Sequence, residues 1–128
     1  MKKLILYIAT SIDGKIARSD GNVEWLDEIH NPNQLDYGYY EFYDSIDTTL
    51  MGNNTYKMVQ SFGVEFPYSG KQNYVFSRDT SLSSNKDVSY VSEDISSFTQ
   101  KLKQGSGKDI WLIGGSQLNS AMLRLGLI

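Results

Sequence analysis

The feature that most restricts how this chain can fold is an alternation. Short apolar, β-branched runs take turns with segments whose apolar residues recur every three or four positions. Such a chain can bury both kinds of face only by laying strands in a mostly parallel sheet and returning between them through helices on both sides. Leu4-Ile5-Leu6-Tyr7-Ile8 reads as a first strand, buried on both faces. A loop with turn signals at Asp13-Gly14 and Asp20-Gly21 follows. Tyr39, Phe42, Tyr43 and Ile46 fall at i, i+3, i+4 and i+7 and predict an amphipathic helix. Thr48-Thr49-Leu50-Met51 predicts a strand stopped by Gly52, and Asn54 is expected to cap a helix running through Tyr56, Val59 and Phe62 to Gly63.

The pattern then repeats. Strands are expected over Asn73–Ser77 and Val88–Val91. Ser92 is expected to cap a helix that turns Ile95, Phe98 and Leu102 inward, with Lys101 and Lys103 near its far end and Gly105 beyond it. Ile110–Ile113 is the last strand, broken by Gly114-Gly115, and a final helix carries Leu118, Ala121, Met122 and Leu125 on one face. No repeat or linker interrupts the 128 residues, so one domain over 1–128 is expected.

Composition removes several classes of function. A net charge of −3 with no basic run argues against nucleic acid as a partner. The absence of Cys excludes thiol catalysis and Cys-ligated metal, and His30, the one His, cannot build a metal site by itself. It reads as a loop residue before Asn31-Pro32. The opening apolar run is too short for a leader peptide, and no stretch approaches a membrane span, so a cytoplasmic protein without a membrane partner is expected.

Chemistry is expected beyond the carboxyl ends of the strands, where open parallel sheets bind ligands. Gly52-Asn53-Asn54-Thr55, Ser77-Arg78 and Gly114-Gly115-Ser116 fall there. The first and third also open helices, whose free N–H groups attract phosphate, and glycine lets the backbone come close to it. The Arg78 guanidinium suits a 2′-phosphate.

The order of these pieces carries a resemblance. Ala9-Thr10-Ser11-Ile12-Asp13-Gly14-Lys15-Ile16-Ala17, Leu50-Met51-Gly52-Asn53-Asn54-Thr55-Tyr56, Val75-Phe76-Ser77-Arg78 and Trp111-Leu112-Ile113-Gly114-Gly115-Ser116 together resemble the dihydrofolate reductase superfamily. The branch most resembled is that of bacterial dihydrofolate-reductase-family proteins similar to the C-terminal reductase domain of the bifunctional riboflavin-biosynthesis enzyme. The resemblance implies a three-layer α/β/α fold around a mostly parallel sheet. It also implies NADPH as cofactor, with Ala9 and Ile16 beside the nicotinamide and Gly52, Asn53, Asn54 and Thr55 at the pyrophosphate. Ser77 and Arg78 would lie on the adenosine side, and Gly114, Gly115, Ser116 and Gln117 over the central phosphates. Asp13 would lie in the loop that closes over the site, a loop segment ending at Trp25-Leu26.

This chain departs from the pattern in three ways. Folate enzymes place basic residues where Asn53 and Gln117 stand. They also carry an acid four residues before a helical Phe; if that Phe is Phe42, the acid's position is Gly38, with Asp36 and Glu41 the nearest carboxylates. Asp13 and Asp36 are the expected catalytic acids, since a carboxyl in a dry pocket can hold and donate a proton. The family fold continues with further strands that cover the edge of the first one, whereas this chain ends at Leu125-Gly126-Leu127-Ile128. That edge is therefore expected to be left to a continuation or to a second copy in a homodimer. The implied activity is hydride transfer to the electron-poor carbon of a small pterin-like or ribosylamino-pyrimidine-like substrate. A committed riboflavin step is disfavoured, because the downstream Asp-x-Pro pattern and the phosphate-gripping arginines have no match. The alternative is a dinucleotide-binding domain that does not turn over.

Overall fold

The computed structural model describes residues 2–8, 38–61, 63, 66–79 and 84–128. Ala9, Asp13, Ile16, Trp25, Leu26, His30, Asp36 and Phe62 lie outside the described residues. The elements run β1 (Leu4–Leu6), α1 (Tyr39–Asp44), β2 (Ile46–Gly52), α2 (Asn53–Ser61), β3 (Gln72–Phe76), β4 (Ser89–Val91), α3 (Ile95–Gln104), β5 (Asp109–Gly114) and α4 (Ser116–Arg124). The strands form one sheet in the order β1-β5-β2-β3-β4, and every described pair is parallel.

Period-two alternation sorts the strand residues onto two faces. Leu4, Leu50, Phe76, Val91, Ile110 and Leu112 point to one side, where Phe98 and Leu102 of α3 and Leu118 and Met122 of α4 close over them. Met51, Val75 and Ile113 point to the other and meet Tyr56 of α2, Phe66 and Tyr68. Trp111 shares that second face and packs edge-on against Phe42 of α1, with ring centroids 5.5 Å apart. The result is the three-layer α/β/α arrangement expected from the alternation.

Five expectations change in detail. Ile46 does not end the first helix but begins β2, fully buried. Ser45 closes α1 by donating its N–H and hydroxyl to Phe42 O, and Ile46 also fits the alternating run with Thr48 and Leu50, whose burial decides the matter. The first strand covers only Leu4–Leu6 and is not buried on both sides: Leu6 is 36% exposed, because β1 lies at the sheet edge with β5 as its one strand partner among the described residues. Ser92 does not cap α3. Asp94, directly before the first helical residue, accepts from Ser97 N–H at 3.0 Å, an equally good cap in the better position. Leu125 stands past the end of α4 and is 50% exposed, while Leu127 turns back to donate to Met122 O and fills the core in its place. The predicted cap Asn54 lies inside α2, which starts at Asn53.

The amino-terminal end of the sheet is tied by charge. Buried Lys2 reaches Asp47 Oδ1 at 2.8 Å and Thr48 Oγ1 at 3.2 Å. The same carboxylate accepts from Thr48 Oγ1 and from Lys108 N–H. Among the described residues, no helix is long and apolar enough to cross a membrane.

Candidate functional site

All parallel strands of one sheet point their carboxyl ends the same way, so the segments that follow them share one rim. Along the strand order, that rim presents Tyr7 after β1, Gly114-Gly115 after β5, Gly52-Asn53 after β2 and Ser77-Arg78 after β3. Three of the motifs singled out in the sequence are thereby brought side by side.

Their closest approach is a glycine junction. β2 and β5 pair Met51 with Gly114, which sets Gly52 against the next turn. A β-carbon on Gly52 would stand 3.8 Å from Gly114 O and Gly115 N, and one on Gly115 would stand 3.2 Å from Thr55 Oγ1. Gly114 has φ +135, a conformation that L side chains rarely adopt, and the Gly114–Gly115 peptide is cis. Gly115 is the N-cap of α4, and Asn119 N–H makes the first intrahelical bond back to Gly115 O at 2.9 Å. The amides of Ser116, Gln117 and Leu118 come before that bond, so the helix offers its positive end to the rim. α2 begins at Asn53 directly beside it, and neither helix has an acidic residue in its first turn. Two helix starts therefore converge on a strip of backbone without side chains, a cradle suited to the phosphates of a nucleotide.

Asn119 adds a feature that sequence reasoning missed. It is the fourth residue of α4, 9% exposed, and its side-chain Oδ1 has no hydrogen-bond partner among the described residues. Nothing short of the fold could have marked it, since an Asn four residues after a helix cap reads as an ordinary surface residue.

The remaining predicted positions divide. Asn53 and Thr55 are half-buried beside the junction, while Asn54, Ser116 and Gln117 are exposed at the helix starts. Ser77 N–H donates to Val91 O, and the Ser77 hydroxyl accepts from Asp79 N–H at 3.1 Å. That turn presents Arg78 exposed at its tip, one strand further along the rim than Gly52. Gly38, the acid's position if Phe42 matches the folate enzymes' Phe, is the N-cap of α1 with φ +82, so it supplies a turn and no carboxylate. Glu41 is exposed on α1.

A second missed feature is an aromatic wall on the α1 side of the rim. Tyr7 stacks on Phe42 with centroids 4.5 Å apart and planes 8° from parallel. Trp111 stands edge-on to Tyr7 and donates its indole N–H to Tyr7 O at 3.0 Å. Tyr39 and Tyr68 pack against the same indole. Burial, with Tyr39 and Tyr43 nearby, pushes the Tyr68 hydroxyl up to about 12. Burial and the hydroxyls of Tyr43, Tyr40 and Tyr7 raise Tyr39 too. Both therefore remain protonated and neutral at physiological pH.

Comparison with known proteins agrees with this fold. The family model of the RibD C-terminal domain matches residues 2–128. The uncharacterized protein YwjB of Bacillus subtilis (strain 168) is 40% identical over 117 residues, covering 91% of this chain and 66% of that protein. The uncharacterized protein YyaP of the same organism is 31% identical over 141 residues, covering 99% of this chain and 70% of that one. The chain thus spans about two thirds of the length of these curated relatives. Among solved structures, a protein of Shewanella sp. PV-4 assigned to riboflavin biosynthesis superposes with a TM-score of 0.81 at 31% identity, over 100% of this chain and 72% of that one. The Thermotoga maritima diaminohydroxyphosphoribosylaminopyrimidine deaminase/5-amino-6-(5-phosphoribosylamino)uracil reductase gives 0.67 at 17% identity, over 97% of this chain and 42% of that one. Enterococcus faecalis dihydrofolate reductase, complexed with NADP(H) and RAB-propyl, gives 0.65 at 18% identity, over 96% and 65%. These last two likenesses show the fold.

Proposed function

The chain belongs to the RibD C-terminal domain family, and on that premise we propose that it is an NADPH-dependent reductase acting on a small, flat heterocycle of the pterin or ribosylamino-pyrimidine kind. The observation that carries the reading is the glycine junction, where the side-chain-free backbone of Gly52 and Gly114-Gly115 meets at the starts of α2 and α4.

In this reading the pyrophosphate takes hydrogen bonds from the first-turn amides of the two helices, with the Thr55 hydroxyl beside Gly115. Arg78 pairs with the 2′-phosphate from its place after β3, and Ser77 shapes the turn that presents it. When bound, the dihydronicotinamide supplies a hydride to an electron-poor C=N or C=O carbon. The protein holds the two partners in line and keeps water away from them. A proton must reach the neighbouring heteroatom in the same reaction, and Asp13 and Asp36, from the segment before α1, are the groups assigned to deliver it. Ala9 and Ile16 would flank the ring from the same segment.

A second reading has one observation in its favour. Gly38 supplies no carboxylate at the start of α1, and, if Phe42 matches the folate enzymes' helical Phe, that fits a domain that binds the dinucleotide without turning it over.

Thermal-shift titration with NADPH and with NADH tests the common part of both readings. A ligand that binds only the folded chain adds RT ln(1 + [L]/Kd), about 2.7 kcal/mol at a hundredfold excess over Kd. A clear rise in melting temperature with NADPH and a small one with NADH supports the reading, and no rise with either removes it. Oxidation of bound NADPH by a pterin-like or pyrimidine substrate then separates the enzyme from the passive binder.

A further inference from the structure

We propose that Asn119 is a ligand-recognition residue whose side-chain carbonyl accepts a hydrogen bond from an uncharged donor on the nicotinamide–ribose half of the dinucleotide; this rests on reading the glycine junction as a dinucleotide site. Three observations lead to it. Oδ1 is buried and has no partner among the described residues, although folded proteins pair nearly all buried polar atoms. The amide lies directly beneath the junction: a β-carbon on Gly114 would be 3.6 Å from Asn119 Nδ2 and 3.9 Å from Oδ1. The neighbouring buried positions of α4, Leu118 and Met122, are apolar and face the core. An Asn here is disfavoured twice, as a helix-interior residue and as a buried acceptor left unpaired.

The chemistry of the missing partner follows from the sign of the charge. A carbonyl oxygen repels phosphate, so Oδ1 does not serve the anion that the helix starts attract. It requires an N–H or O–H donor next to that anion. A dinucleotide carries such donors on either side of its pyrophosphate, in its ribose hydroxyls and its carboxamide. The strand order selects the half. Arg78 after β3 draws the 2′-phosphate half away from β5 across β2, so the other half lies at β5 and its neighbour β1, where Gly114 and Asn119 stand.

The test uses the full chain and compares Asn119→Leu, nearly the same size without the carbonyl, with Asn119→Ala, which cannot overpack. Two readouts are taken: urea unfolding without ligand and NADPH affinity by fluorescence titration. The proposal expects Asn119→Leu to unfold at the same or higher urea than the wild type, while both variants bind NADPH at least tenfold more weakly. Unchanged NADPH affinity in either variant overturns it, as does a fall in ligand-free stability of Asn119→Leu with no loss of affinity. A wild type that fails to bind NADPH at all overturns the dinucleotide reading and this one with it. A further arm uses reduced 3-acetylpyridine adenine dinucleotide phosphate, in which a methyl replaces the carboxamide NH2. If the donor is the carboxamide, this analogue binds the wild type about tenfold more weakly than NADPH and binds the two variants as NADPH does. If the donor is a ribose hydroxyl, the analogue follows NADPH in every protein and the loss in the variants persists.

Discussion

Adjacent glycines at 114 and 115 should fail in opposite ways when each is replaced by alanine. Gly114 has φ +135, and holding an L residue in such a sparsely populated region costs about 1–3 kcal/mol. The added methyl meets only Asn119, at 3.6 Å or more, so the cost is conformational rather than steric. Alanine also restricts the unfolded chain, which returns about 0.4–1 kcal/mol, leaving a net loss of about 1–2 kcal/mol. Gly115 has φ −88, open to any residue, and its methyl would press on the Thr55 hydroxyl at 3.2 Å, a group that can rotate aside. The unfolded-state gain then roughly cancels the crowding, and stability should stay within about 0.5 kcal/mol of the wild type. The Gly115 methyl, however, enters the space between the starts of α2 and α4 where the pyrophosphate is placed. Gly114→Ala should therefore lower the urea midpoint by roughly 0.5–1 M, taking a slope of about 2 kcal/mol per M. Gly115→Ala should keep its midpoint and lose at least tenfold in NADPH affinity. A midpoint for Gly114→Ala equal to the wild type's would refute the backbone argument. Full NADPH binding by Gly115→Ala would refute the placement of the phosphate.

Arg78→Ala should weaken NADPH by about tenfold to a hundredfold, the worth of a charge-assisted hydrogen bond, and leave NADH nearly unchanged; equal losses for both would remove the 2′-phosphate role. At the opposite end of the sheet, burial raises the Asp47 carboxyl, but hydrogen bonds from Lys2, Thr48 and the Lys108 amide, with the Lys2 charge, outweigh it and hold the group below its ordinary value of 3.8. A depressed carboxyl contributes stability that is complete above its unfolded value and is lost as pH falls through the folded one. The melting-temperature gap between the wild type and Asp47→Asn should thus be constant near neutrality and shrink below about pH 4; a gap independent of pH would assign the cost to lost packing.

The sequence exposed what depends on local pattern and hid what depends on where distant segments meet. The strand-helix alternation located β2, β3, β5 and the inward faces of α3 and α4 because each repeats a burial rhythm over several residues. It misplaced Ile46, since one apolar residue satisfies the seventh position of a helix face and the first of an alternating strand equally well. Only the depth of β2 between β5 and β3 decides for the strand. The first strand read as buried on both faces because Leu4–Ile8 is uniformly apolar, yet Leu6 is 36% exposed where β1 ends the sheet among the described residues. Gly52, Gly114 and Gly115 could be singled out in the sequence because they follow strands and open helices in the order that carries the family resemblance. Their contact with one another, the orphan carbonyl of Asn119 and the stack of Tyr7 on Phe42 join segments far apart in sequence, and no spacing rule reaches across that gap.

The two ends of the sheet divide stability and recognition between them. At the amino-terminal end polar groups are closed on one another: Lys2, Asp47, Thr48 and the Lys108 amide satisfy each other, and Lys108 Nζ binds Asp44 O. Inside the sheet, Asn73 accepts from Thr49 and donates to the backbone around Tyr68 and Lys71, so a buried polar side chain is again fully used. At the carboxyl end the accounting is left open. Helix-start amides and a strip of bare backbone lie at the rim, and Asn119 Oδ1, near Gly114, has no partner among the described residues. Among the described residues the other buried polar side chains are paired, and a leucine in place of Asn119 would remove the unpaired acceptor and gain stability. On the proposed reading, the acceptor's benefit lies outside the folded chain alone, in a bound state that supplies the missing donor.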